Sequence, residues 1–290
     1  YKAKVQMRIG DNYMEWKHFD DAWSAYDQVI NLYADTPYPP NAQYNKGEAR
    51  YYADKYAEAR QDYLDLVTKY PDIDTELRAA ALYNAGWCSE KLDETDKALE
   101  YYGQVVENFS RSERAPACHL RMAALTYKKG QVPEAIAIYQ RIIEESQNPK
   151  TDSDAYYGLG VLYQEEGQAD KAIEAFMKVS KDARDTYVAA LTAAVNLHAK
   201  NGNNQEARRL LETVVKEVVG DHELEAQAYY QIAQLDLNNE KYPEALAGFT
   251  RVIEQYGDTP QGRDAHYGRG VVRHHLGQPE KALVDFQQIL

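Results

Sequence analysis

The sequence predicts an all-α protein built as a right-handed solenoid, a superhelix of antiparallel helix pairs. Three observations predict it. A short segment centred on Ala recurs eight times, at Ala22, Ala59, Ala98, Ala135, Ala172, Ala207, Ala245 and Ala282, with spacings of 37, 39, 37, 37, 35, 38 and 37 residues. Twelve positions before each stands Gly10, Gly47, Gly86, Ala123, Gly160, Val195, Ala233 or Gly270, small in every copy but the one with Val195. Four positions after each Ala stands Tyr26, Tyr63, Tyr102, Tyr139, Phe176, Leu211, Phe249 or Phe286. Such a period marks stacked units that cannot bury their apolar face alone.

Each element of the unit has a physical reason. The first small residue lies on helix A and the Ala on helix B. Two small side chains at fixed separation let the axes approach to the usual ~8–10 Å. The aromatic or Leu shares the Ala face of helix B and fills the space behind it. Between the helices, Gly130, Gly167, Gly202 and Gly277 sit five residues before their Ala, where a left-handed C-cap is expected. Asp20, Asp96, Asp170 and Glu280 then open helix B at its positive end, as do Pro133 and Pro243 at a position that tolerates a missing N–H. Polar or Pro-bearing connectors at residues 35–40, 70–75, 148–151 and 257–260 follow, and their extra residues are expected to loosen the array. The repeats are read as 3–36, 40–73, 79–112, 116–149, 153–186, 188–221, 226–259 and 263–290, the last truncated, in a single array over 1–290.

This small–aromatic–Ala–aromatic–Pro skeleton resembles the tetratricopeptide repeat over essentially the whole chain. The early helix A Trp of that family is replaced here by Gln6, Gln43, Leu82, His119, Tyr156, Leu191, Tyr229 and His266, and the sixth copy, with Val195, Asn204 and Leu211, diverges most. The resemblance implies that helices A line a concave groove and that the chain is a protein-interaction scaffold. The phrases VTKYPD at 67–72 and AAALYNAG at 79–86 resemble a bacterial envelope branch, the outer-membrane assembly lipoproteins and Tol–Pal coordinators. That second likeness implies a periplasmic or cell-envelope setting.

Three residues before the small position, helix A reads Met7, Tyr44, Tyr83, Leu120, Tyr157, Thr192, Tyr230 and Tyr267. One residue after it come Asp11, Glu48, Trp87, Ala124, Val161, Asn196, Gln234 and Val271. The expected groove is therefore a Tyr stripe, acidic at its start and more apolar in the middle. Its candidate partner-binding residues are Tyr44, Tyr83, Trp87, Leu120, Tyr127, Tyr157, Val161, Tyr230 and Tyr267. Tyr gives a flat apolar face and a hydroxyl at low rotamer cost. Two readings stand: a polypeptide lies along the stripe, or the Tyr side chains pack between neighbouring helices A.

Composition narrows the partner. With 46 acidic against 33 basic residues the net charge is −13, which repels phosphate backbones and excludes nucleic acid as the main partner. No stretch reaches the ~18 apolar residues of a membrane span. A protein or peptide partner remains. The chain begins with Tyr1 and stops at Leu290 within a helical pattern, so it reads as a piece of a longer protein whose exposed end invites self-association.

Chemistry is not expected. Gly158-Leu-Gly160 and Gly268-Arg-Gly270 fall inside helix A, not after a strand, so they do not read as a dinucleotide loop. His274 and His275 are adjacent on a helix and cannot chelate one ion from one face, and His266 lies two turns away. Cys88 and Cys118 sit late in one helix A and early in the next, too far apart for a disulfide, so both thiols are expected free. No nucleophile–base constellation is present, and Tyr83, Ala80 and Glu48 stand beside Asn45 and Asn84 where a carboxylate-binding branch would have Lys or Arg. The reading is a non-catalytic scaffold without cofactor or metal. The alternative is a regulatory or substrate-presenting arm of a larger multidomain enzyme or signalling protein.

Overall fold

The structure, a computed structural model, describes residues 1–289. Leu290, the end of the last repeat and the end expected to drive self-association, lies outside the described residues. Among the described residues there are sixteen α-helices and no strand. They divide into two units, Tyr1–Glu145 and Ser146–Leu290. The first unit holds α1 (Lys2–Glu15), α2 (Phe19–Leu32), α3 (Pro39–Tyr52), α4 (Tyr56–Lys69), α5 (Thr75–Lys91), α6 (Thr95–Asn108), α7 (Ala115–Lys128) and α8 (Val132–Glu145). The second holds α9 (Pro149–Glu165), α10 (Ala169–Met177), α11 (Arg184–Lys200), α12 (Asn204–Glu217), α13 (His222–Asn238), α14 (Tyr242–Tyr256), α15 (Pro260–His275) and α16 (Pro279–Gln287). Within each unit every helix packs on the next one in sequence, as the solenoid reading requires.

The turn between helices A and B is the same in all eight copies. Gly130, Gly167, Gly202 and Gly277 take φ between +69° and +78°, as expected. The equivalent residues in the other four copies, Lys17, Asp54, Asp93 and Glu240, also take left-handed φ of 55–59°. Lys17 N–H bonds Met14 O at 3.0 Å and His18 N–H bonds Tyr13 O at 2.9 Å, the paired bonds that close a helix C-terminus. Geometry thus outranks residue preference here, and four non-glycine residues carry a conformation that disfavours a Cβ.

The recurrent Ala residues are all 0–2% exposed. The small position on helix A lets helix B come close by making room for its ring, and in the seventh copy Ala233 stands directly against Gly248 of helix B, where an added Cβ would meet it at 2.8 Å. A Cβ on Gly10, Gly86, Gly160 or Gly270 would meet the ring of Tyr26, Tyr102, Phe176 or Phe286 at 2.5 Å, and on Gly47 that of Tyr63 at 2.8 Å. Each ring therefore lies flush on the glycine sixteen residues earlier. Where the helix B ring is replaced by Leu211, Val195 fills the space. Where the small residue is Ala233, the Phe249 ring lies over Gly268 of the following helix A instead.

The extra connector residues are taken into helix A. They lengthen helix A to 17 residues in α5, α9, α11 and α13 and to 16 in α15, so these helices open before residues 79, 153, 188, 226 and 263. Polar connector residues become caps. Asp74 accepts from the N–H of Glu76 and Leu77, Asn148 from Lys150, Asp221 from Leu224 and Thr259 from Gly262. Each satisfies a donor that a helix start leaves open.

Two buried acids pin helix B to helix A. Asp62 accepts from Gln43 Nε2 at 3.0 Å and Arg50 Nη1 at 2.7 Å, with Lys46 Nζ 3.7 Å away. At the same register in the last copy, Asp285 accepts from Arg269 and Arg273 at 2.7 and 2.8 Å, with His266 Nδ1 at 3.8 Å. Cys88 and Cys118 are free and buried.

Candidate functional site

The stripe tyrosines share one packing partner. Tyr44, Tyr83, Tyr157, Tyr230 and Tyr267 each rest on the helix B ring nineteen residues later: Tyr63, Tyr102, Phe176, Phe249 and Phe286, with centroids 5.5–5.8 Å apart. The ring that lies on a glycine thus also packs, at an angle of 46–64°, against the stripe tyrosine. Four of the five are half-buried, whereas Tyr267 on α15 is 60% exposed. The stripe is therefore anchored inside its own repeat and still reaches solvent.

In the first unit, Tyr44, Tyr83 and Trp87 come together around one cavity of about 240 Å³, between α3 and α5. Leu120 and Tyr127 lie on α7, both half-buried. In the second unit Tyr157 and Val161 pack against the Tyr187–Leu191–Leu211 core, and Tyr230 packs against the Phe249–Val252 core.

The cavity also holds residues that the sequence did not single out: Tyr51, Tyr52 and Arg114. Tyr44, Glu48 and Tyr52 follow one another on α3 at spacings of four, and Tyr51 lies three residues beyond Glu48, so Tyr51 and Tyr52 flank the Tyr44–Glu48 face from either side. Tyr63 O–H donates to Glu48 Oε1 at 2.5 Å, and Asn84 Nδ2 donates to the same oxygen at 2.7 Å and to the Tyr44 hydroxyl at 2.9 Å. Trp87 Nε1–H donates to the Tyr51 hydroxyl. Burial raises the Glu48 carboxyl above its ordinary range, against the Tyr63 hydrogen bond and the Arg114 charge that favour its ionised form. Burial likewise pushes Tyr44 up to about 12, helped by the Glu48 charge.

The groove is not purely acidic. Arg114 places its guanidinium 5.6 Å from the Tyr83 ring centroid, and Arg121 lies 4.3 Å from that of Trp87. Arg121 Nε is paired with Glu90 at 2.9 Å, and Tyr102 O–H donates to the same Glu90 at 2.6 Å. Both arginines come from α7 or its cap, one repeat beyond the helix they cover. Only a pairing of residues some 30 apart in sequence would have found them.

Among the described residues no cluster of three His, Cys, Asp or Glu side chains is placed to hold a metal ion. No helix among them is long and apolar enough to cross a membrane.

Models of the tetratricopeptide repeat match residues 41–72, 80–112, 128–195 and 230–290, together about two thirds of the chain. Comparison with curated proteins finds no match. Among solved structures, the chain is similar to a tetratricopeptide repeat protein from Parabacteroides merdae, with 15% identity, a TM-score of 0.54, and coverage of 97% of this chain and 98% of that one. It is also similar to the C-terminal part of a repeat protein from Cytophaga hutchinsonii, with 17% identity, a TM-score of 0.60, and coverage of 89% and 98%. The apo quorum sensor NprR from B. thuringiensis shares 14% identity and a TM-score of 0.59 over 99% of this chain and 86% of its own. At such identities the likeness shows the fold alone.

Proposed function

Since the chain belongs to the tetratricopeptide-repeat family, whose members are typically non-catalytic protein-interaction scaffolds, we propose that it binds a polypeptide along the tyrosine-bearing faces of its helices A. One observation carries this reading. Each stripe tyrosine packs against the ring of its own helix B and still keeps part of its surface in solvent, which supports a recognition surface held in place before a partner arrives. Rigid aromatics lose little entropy on binding, which favours affinity. Within each unit the hydroxyl groups of these rings supply hydrogen bonds to peptide groups. The phrases at 67–72 and 79–86 support a bacterial cell-envelope setting, which fractionation of the source cells tests.

The test of binding is a Tyr83→Ala/Trp87→Ala/Tyr157→Ala variant, examined for thermal stability and for affinity to a partner first captured with the wild-type chain and then purified. Binding is expected to fall at least tenfold while a cooperative melt remains. Loss of the melt with no partner-specific effect in milder single variants would make the stripe core.

A further inference from the structure

The first unit's cavity has an unusual electrostatic arrangement. Six rings, those of Tyr44, Tyr51, Tyr52, Tyr63, Tyr83 and Trp87, line the cavity together with Glu48. Glu48 is largely buried, and one of its oxygens is held by Tyr63 and Asn84. Among the described residues no cation lies within ion-pair distance of it. A carboxylate shielded from water without a cation is costly, and burial accordingly lifts its affinity for a proton. The rings around it already attract the chain's own cations: Arg114 lies over Tyr83, and Arg121 and Lys91 over Trp87. Arg121 is satisfied by Glu90, whereas Arg114 is exposed and, among the described residues, forms no ion pair, its charge reaching Glu48 only across the cavity. Aromatic faces around an acid are the chemistry that recognises an ammonium or guanidinium group.

We propose that this cavity takes a basic side chain, Lys or Arg, of the bound polypeptide, with its charged head at Glu48 and its stem between Tyr44, Tyr83 and Trp87. The inference rests on the groove reading above. A volume of about 240 Å³ admits one such side chain. The net charge of −13 favours a basic partner over an acidic one. In this arrangement Arg114 is a competitor: its guanidinium sits at the rim over Tyr83 and swings away when the ligand enters.

Two substitutions therefore move affinity in opposite directions. The probes are Nα-acetyl-lysine amide and Nα-acetyl-arginine amide, with the corresponding glutamate and glutamine amides as controls. The readout is the indole N–H resonance of Trp87, with Trp16 and Trp23 as internal references. The basic probes are expected to shift Trp87 saturably and the controls to leave it in place. Glu48→Gln keeps an oxygen for Tyr63 and Asn84, and should weaken the basic probes about fivefold; Arg114→Gln should tighten them about twofold or more. Arg114 is exposed, so its variant tests the idea even if Glu48→Gln unfolds. Saturation by the glutamate probe, with Arg114→Gln weakening it, overturns the proposal, as does silence from all four probes. If the basic probes fail while the groove triple variant still loses its purified partner, the groove stands and the cation pocket falls. If the triple variant keeps its partner, the groove reading falls whichever probe binds.

Discussion

Gly86→Ala should destabilise the protein, although Gly→Ala in a helix ordinarily stabilises it. Gly86 lies inside α5, where replacing Gly by Ala gains about 1 kcal/mol of helix propensity. The new Cβ would stand 2.5 Å from Tyr102 Cε1 and 2.8 Å from its Cδ1 and Cζ. Carbon atoms rest at ~3.5–4.0 Å, so the ring must retreat by about 1 Å. Tyr102 has nowhere to go: it is 0% exposed and its hydroxyl is held by Glu90 at 2.6 Å. Overpacking of this kind costs about 1–3 kcal/mol and, with the backbone of α5 as one wall, belongs at the upper end. The net loss should be about 1–2 kcal/mol. Gly103 on α6 is the control, because a Cβ there meets nothing within 4 Å and Gly103→Ala should stabilise. Urea midpoints at unchanged slope measure both. Adding Tyr102→Leu to Gly86→Ala imitates the natural Val195–Leu211 pairing and should recover part of the loss as a coupling of about 1 kcal/mol. If Gly86→Ala proves as stabilising as Gly103→Ala, the ring does not rest on the glycine and the account of the small position is wrong.

Three further outcomes follow from the coordinates. Lys17→Gly and Glu240→Gly remove a Cβ from residues at φ +59° and +57°, and each should raise stability by about 0.5–1 kcal/mol, seen as a higher melting temperature. Burial pushes the thiols of Cys88 and Cys118 to about 12, so at pH 8 both are protonated; iodoacetamide should label neither in the native protein and both in urea. Burial raises the folded-state affinity of Glu48 for its proton, so ionised Glu48 weighs against folding at neutral pH, and that burden lifts as pH falls through its folded pKa. Glu48→Gln has no proton to gain, and its melting temperature relative to wild type should be higher at pH 7 than at pH 5.

The helices and their turns could be read from one chain because each signal lies within a single repeat. Ala22 and its seven counterparts recur every 35–39 residues, each with its small position, Gly or Ala in every copy but one, twelve residues before. The ring on the glycine was half-visible, since the aromatic was noticed but not its sixteen-residue reach. The added turn of helix A escaped because its starts are polar or Pro-bearing: Asp74, Asn148 and Thr259 read as connector until the backbone N–H groups they accept from are seen. The cavity was least legible. Asn84 and Tyr44 are 40 residues apart, Trp87 and Tyr51 are 36, and Arg121 and Glu90 are 31, so their meeting depends on how one hairpin sits on the next. Stripe residues were found by their period, but Tyr51, Tyr52 and Arg114 have no period to betray them.

In the four copies with Gly47, Gly86, Gly160 and Gly270, the ring, its glycine and its stripe tyrosine all belong to one hairpin of some 37 residues. The keystone of those modules is thus self-supplied, while the core around it is shared: Tyr63 and Leu66 are buried with Ala81, Ala85 and Cys88 of the next helix A, and the Phe249 ring lies on Gly268. A hairpin duplicated, lost or exchanged at the gene level then carries its own ring and glycine with it, and the face it shares with the next hairpin is what must be refitted. The rows of rings would persist through such rearrangement, while the side chains between them, free of that duty, remain open to change with the partner.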